Sequence, residues 1–224
     1  MEYAMGRLKP ILDQETHKED ARDRLLDAAE ALFCEKGFEG VSVRELTATA
    51  GCNLAAVNYY FGGKDKLYAE MFRRQFEMMI QRNLEIIERV MSQPDVSLEV
   101  LLRAVMEPVI RRVIENETGG KVMRLLVREI LNRRIDRETL AADMKGRLFD
   151  RLGQAILQLV PEIDSDKILL VVLSFDGAIL HPFLFMDFYQ ENMPGLSIDD
   201  LLDHMVRFVA AGIRGYAYPN REGS

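Results

Sequence analysis

Residues 41–67 read VSVRELTATAGCNLAAVNYYFGGKDKL, and the fold is decided by the punctuation within them. Ser42 and Glu45 have the spacing of a capping box. The Ser42 hydroxyl accepts from the Glu45 backbone N–H, and the Glu45 carboxylate accepts in return from the N–H of Ser42. This spacing predicts a short helix from Val43 to about Ala50, ended by Gly51. Asn53 is placed to cap a third short helix reaching about Phe61. Gly62-Gly63 breaks that helix, and Lys64 opens a longer one toward Met91. Two short helices around Gly51-Cys52-Asn53 form a helix-turn-helix unit.

Upstream, Leu25, Leu26, Ala29, Leu32 and Phe33 recur at three-to-four spacing and predict a helix from about Lys18 to Lys36, with Gly37 as its left-handed cap. Downstream the pattern is long amphipathic helices. One covers 97–116 with a kink expected at Pro108, and another covers 121–132. Leu140, Met144, Leu148, Leu152, Ile156 and Leu159 stripe a helix that ends before Pro161, and two more cover 166–190 and 198–217. No run alternates as a strand would. The expectation is an all-α chain of about nine helices. A first domain of three helices would be followed by a larger helical one.

Composition bounds the rest. The 224 residues are 48% hydrophobic and 29% charged, ordinary for a globular chain. Residues 1–17 lack the continuous apolar core of a signal peptide. The apolar run at 168–186 contains Asp176, His181 and Pro182, which suit a buried helix rather than a lipid-spanning one. A cytoplasmic protein is expected. Cys34 and Cys52 form no CxxC pair and read as half-buried thiols. His17, His181 and His204 show no ligand spacing, so no metal, no cofactor and no catalytic constellation is expected. The net charge of −7 gives no general support to nucleic-acid binding, so any positive field must be local. Residues 41–69 hold three basic residues against two acidic ones, unlike the acidic helix before them.

Leu46, Ala50, Leu54, Val57 and Phe61 are expected to pack inward against the first helix. Ala55, Ala56, Asn58 and Tyr59 would lie on the free face, with Tyr60 at its edge. Small residues let a helix approach a groove, Asn58 matches an adenine edge, and tyrosine hydroxyls can bond phosphate. Arg44 could reach guanine or phosphate, and Lys64 sits at a helix N-terminus suited to phosphate. The plain alternative is a three-helix packing unit with no nucleic-acid role.

The stretch ARDRLLDAAEALFCEKGFEGVSVRELTATAGCNLAAVNYYFGGKDKLYAEMF, residues 21–72, resembles the DNA-binding domain of TetR-family transcriptional regulators. The resemblance rests on Phe33-x-x-x-Gly37-Phe38, on Arg44-Glu45-Leu46-x-x-x-Ala50-Gly51, and on the aromatic cluster before Gly62-x-Lys64-x-x-Leu67. It implies a homodimer on a pseudo-palindromic operator, most often a repressor released by a small hydrophobic or amphipathic effector. By position, Arg44 falls where the family often meets bases or phosphate, Ala55 and Ala56 where its recognition helix faces bases, and Tyr59, Tyr60 and Lys64 where it meets backbone. Ser42, at the start of the second helix, joins these DNA-binding candidates. Many members carry Tyr where this chain has Asn58.

The domains expected are an N-terminal arm at 1–17, a DNA-binding domain at 18–64, a helical effector-binding and dimerisation domain at 65–217, and a tail at 218–224. Leu169, Leu173, Leu201, Met205, Phe208 and Ile213 are expected to pair with a second chain as a four-helix bundle. Met79, Met106, Arg128, Asp176 and His181 are candidates for an effector site. Two readings of Asp176 and His181 stay open: polar groups of a cavity, or a satisfied pair at an interface or kink. The methionines read either as core or as lining of an adaptable pocket. A helical small-molecule or protein-binding module without operator affinity remains the alternative function.

Overall fold

The computed structural model describes residues 5–115, 120, 121, 123, 125 and 144–217. Every regular element among them is helical: α1 (Met5–Lys36), α2 (Val43–Thr49), α3 (Ala56–Phe61), α4 (Lys64–Met91), α5 (Leu98–Glu115), α6 (Asp150–Leu159), α7 (Ile168–Leu184), α8 (Met186–Asn192) and α9 (Ile198–Ala217). A single π-helical stretch, Met144–Phe149, leads into α6. The chain divides into two compact units, Met1–Gln75 and Phe76–Ser224.

In the first unit α1 reaches back to Met5 rather than starting at Lys18. Residues 13–20 hold no apolar side chain, so the three-to-four spacing read from Leu25 to Phe33 gives no sign of this extension. Gly37 ends α1 with φ 70°, its N–H donating to Phe33 O at 2.9 Å. Leu25, Leu26, Ala29 and Phe33 from α1 are buried together with Leu46, Val57, Leu67, Tyr68 and Phe72. Tyr68 anchors an aromatic cluster, its ring centroid 4.7 Å from Phe33, 4.8 Å from Phe38 and 5.0 Å from Phe72. Edge-to-face pairs of this kind add to the area they bury. Charged pairs then clip α1 to α4. Arg22 pairs with Glu70, and Arg74 donates to Asp27 at 2.7 Å. Burial of the surrounding apolar face, more than these solvated pairs, stabilises the contact.

In the second unit Ile80, Ile87, Leu101, Leu102, Met106, Ile110, Ala155, Ile156, Leu202 and Ala210 are almost fully buried in one core. A Cβ on Gly153 would stand 3.1 Å from Ile168 Cγ1, so α6 carries glycine where α7 packs close against it. Helices α5 and α9 are bound by a line of ion pairs. Arg214 chelates Glu99 at 2.5 and 2.8 Å, and Arg103–Asp203 and Arg111–Asp199 extend the line. α5 runs to Glu115 with Pro108 inside it.

The helix expected over 166–190 is two helices. Phe185 leaves helical geometry at φ −123° and ψ 25°, just after Pro182, and separates α7 from α8. The helix expected at 121–132 lies mostly outside the described residues, as does Leu140. No helix among the described residues is long and apolar enough to cross a membrane.

Candidate nucleic-acid interface

The Ser42 side chain accepts from the Glu45 N–H at 3.1 Å and caps α2. Glu45 pairs with Lys36 and also accepts from the Ser42 backbone. Together these contacts hold its carboxyl below the usual range, so the capping box closes in both directions. Gly51, at φ 63°, turns the chain out of α2, and Cys52 N–H donates to Thr47 O at 2.8 Å. Asn53 does not cap α3 with its side chain. The residue flanking the helix is Ala55, with no side-chain cap, and Asn53 contributes its backbone carbonyl to Ala56 N–H at 3.0 Å.

Two positions exchange the roles expected for them. Ala56 turns inward, 7% exposed, while Leu54 turns outward, 60% exposed. The reason is where α3 begins. A helix starting at Ala56 turns Ala56 and Val57 to its buried side and leaves Leu54 in the turn, ahead of the helical period. Leu46, Ala50, Val57 and Phe61 pack inward as expected. Ala55, Asn58 and Tyr59 face outward, and Tyr60 is half-buried. Tyr59 is 64% exposed and meets Tyr60 edge-to-face at 4.9 Å.

Gly62 and Gly63, at φ 74° and 131°, reverse the chain within two residues, a path that only glycine takes without strain. Lys64 is therefore the first residue of α4, where unpaired N–H groups and the helix dipole favour an anion. Its ammonium lies 4.2 Å from the Phe38 ring centroid, which steadies a flexible side chain.

Charge on this face is sorted by pairing. Glu45 is engaged by Lys36, and Glu70 by Arg73 and Arg22, whose contacts hold its carboxyl below the usual range. Arg44 and Lys66 are exposed and make no ion pair among the described residues. An acidic chain thus presents locally available cations beside α3.

Arg24, which the sequence did not single out, ties α1 to the turn. Its Nε donates to Ala50 O at 2.9 Å, and its Nη1 bonds Asp20 at 2.6 Å. The α2 carbonyl lies 26 positions away in sequence, and no local pattern announces such a contact. Between Arg24, Ala55 and Tyr59 opens a groove of about 500 Å³.

The remaining candidates lie in the second unit. Met79 packs half-buried against its core, and Met106 is fully buried. Asp176 is half-buried without a hydrogen bond or ion pair among the described residues, and desolvation pushes its carboxyl up. His181 is not in the core. It is exposed, its Nδ1 is 3.2 Å from the Tyr189 hydroxyl and its ring 4.8 Å from Phe185. The Asp176–His181 pair considered from sequence does not form, because the two residues occupy different sides of α7. Arg128 lies outside the described residues. Leu201, Met205 and Ile213 are at most 6% exposed and belong to the chain's own core, which corrects their assignment to a subunit interface. Leu169, Leu173 and Phe208 are exposed at 37%, 45% and 72%.

A capped helix, a glycine turn and an outward-facing second helix beside a cationic helix start define a helix-turn-helix of the DNA-binding kind. Residues 25–71 match the family model for bacterial regulatory proteins of the tetR family, and residues 103–212 match the tetracyclin repressor-like C-terminal domain. The chain belongs to the TetR family of transcriptional regulators.

Among its relatives, the HTH-type transcriptional repressor AcnR of Corynebacterium glutamicum is 27% identical over 150 residues, covering 62% of this chain and 78% of AcnR. The probable HTH-type transcriptional regulator YttP of Bacillus subtilis is 38% identical over 60 residues, or 27% of this chain and 29% of YttP. The crystal structure of the regulator FadR from Bacillus subtilis, in complex with stearoyl-CoA, shares the fold with a TM-score of 0.62. It is 16% identical and covers 84% of this chain and 97% of that one.

Proposed function

We propose that the protein is a homodimeric repressor that binds a pseudo-palindromic operator and is released from it by a small hydrophobic or amphipathic effector. The observation that carries this reading is the division of labour on α3. Val57 and Phe61 hold the helix to the core, whereas Asn58 and Tyr59 are exposed on its outer face. Arg44 and Lys64 flank that surface and supply phosphate contacts, while Asn58 supplies a base contact.

The dimer is supported by two exposed stripes. On α7, Leu170, Leu173, Gly177, His181 and Leu184 are exposed. On α9, His204, Phe208, Ala211, Gly212 and Gly215 are exposed. Open space surrounds the Cβ positions of Gly177, Gly212 and Gly215, so nothing among the described residues hinders the close approach of a second backbone there. Burying these stripes as a four-helix bundle removes exposed leucine and phenylalanine from water. Two-fold symmetry would then set two copies of α3 about 34–36 Å apart, one turn of DNA. The effector would act from the methionine-containing core of the second unit, through different affinities for the bound and released forms.

The test joins sedimentation with a salt titration of binding to fragments of the source genome. A dimer at micromolar concentration and a retained fragment with a steep fall in affinity as salt rises support the proposal. A stable monomer refutes the dimer. Failure to retain any fragment favours a helical binding module without operator affinity.

A further inference from the structure

The turn and recognition helix, residues 51–61, read GCNLAAVNYYF and contain no charged side chain. Recognition of guanine in the major groove draws chiefly on Arg or Lys, and recognition of cytosine on Asp or Glu. None of these stands on α3. The outward groups are Leu54, at 60% exposure, with Ala55, Asn58 and Tyr59. Leu54 stands in the turn that leads into α3 and Asn58 in the first turn of the helix, the N-terminal part of a recognition helix that meets base edges. An exposed leucine here is not needed by the core, which Leu46, Val57 and Phe61 already close at 9% exposure or less. Its chemical counterpart in the major groove is the C5-methyl group of thymine, and that of Asn58 is the N6/N7 edge of adenine.

We propose that the turn and α3 together read A·T pairs, with Leu54, in the turn, seated on a thymine methyl group and acting as a specificity-determining residue. The assignment rests on the DNA-binding function proposed above. Affinity comes from Arg44 and Lys64 at the flanks, and sequence preference comes from an uncharged apolar-and-amide face. Leu54 is assigned because of its exposure alone, since its place in the sequence suggests the core.

The full-length protein is used to enrich duplexes from a random-sequence pool. In an enriched duplex, thymines are then replaced one at a time, symmetrically in both half-sites, by deoxyuridine, which deletes only the methyl group. The enriched half-sites are expected to carry A·T pairs at the positions facing α3. One deoxyuridine replacement should weaken wild-type binding about fourfold per half-site, about fifteenfold for both, the effect of losing one buried methyl group. Leu54→Ala should bind the thymine and deoxyuridine duplexes equally while its melting temperature stays that of the wild type. If duplexes are enriched but no thymine methyl matters, or if Leu54→Ala keeps the wild-type sensitivity, the assignment to Leu54 is wrong while DNA binding stands. If no duplex is enriched at low salt, the DNA-binding function fails and this inference fails with it.

Discussion

Val57 and Tyr59 are two residues apart on α3, yet one is fully buried and the other is 64% exposed. Replacing each by alanine should therefore separate folding from binding. Val57→Ala deletes two methyl groups from a filled core, a loss of about 2 kcal/mol once the residual cavity is included. For a unit the size of Met1–Gln75 that corresponds to a fall of roughly 8–16 °C in Tm. Tyr59→Ala gives up one edge-to-face ring pair at 4.9 Å. That pair contributes about 0.5–1.5 kcal/mol, and the higher helix propensity of alanine offsets roughly 0.5 kcal/mol of it. Its Tm should move by a few degrees at most.

In DNA binding the order reverses. On the proposed dimer, losing the phosphate contact proposed for Tyr59, about 1.5 kcal/mol per half-site, should weaken operator binding roughly a hundredfold. Thermal unfolding followed by circular dichroism, with fluorescence anisotropy on a labelled duplex, measures both quantities. Equal falls in Tm for the two variants would refute the orientation of α3 and, with it, the role given to Tyr59.

Two further outcomes follow from local geometry. Ser42→Ala removes the cap of α2 and should destabilise the first unit by about 1 kcal/mol, whereas Ser42→Gly should cost only a few tenths; equal effects of the two in thermal unfolding would count against the cap. Asp176 has its carboxyl pushed above the ordinary 3.8 by burial alone, so the folded state favours the protonated form. The stability this gives is complete below that ordinary value and is lost as pH rises through the raised one. Asp176→Asn should therefore melt above the wild type at pH 7, with the difference closing toward about pH 4. A difference independent of pH would show that Asp176 is not titrating in a desolvated site.

Much of the first unit was legible because its signals are local. The capping box at Ser42 and Glu45, the glycines at 37, 51, 62 and 63, and the start of α4 at Lys64 each involve residues within one turn of one another. Backbone sterics and nearby hydrogen bonds decide such features before any tertiary contact forms. Leu54 and Ala56 were misread for the complementary reason. Periodicity carried backward from Val57 and Phe61 assumes that the helix is already under way at Leu54, whereas α3 begins at Ala56. The same limit applies to α9. Periodicity marks Leu201, Met205 and Ile213 as an apolar face, but it does not say whether the neighbour on that face is the same chain or a second one.

The sequence by itself determined that this chain is helical, that its first third is a helix-turn-helix, and where most helices start and stop. Those outcomes follow from residue spacing and from the conformations each residue can adopt. Tertiary structure decided that Ala56 and not the larger Leu54 is buried, and how acidic residues are neutralised by Lys36, Arg22 and Arg73 so that Arg44 remains available. It also placed Arg24 across the turn. Each depends on groups distant in the chain meeting in space, where burial and charge pairing act on distance and not on sequence order.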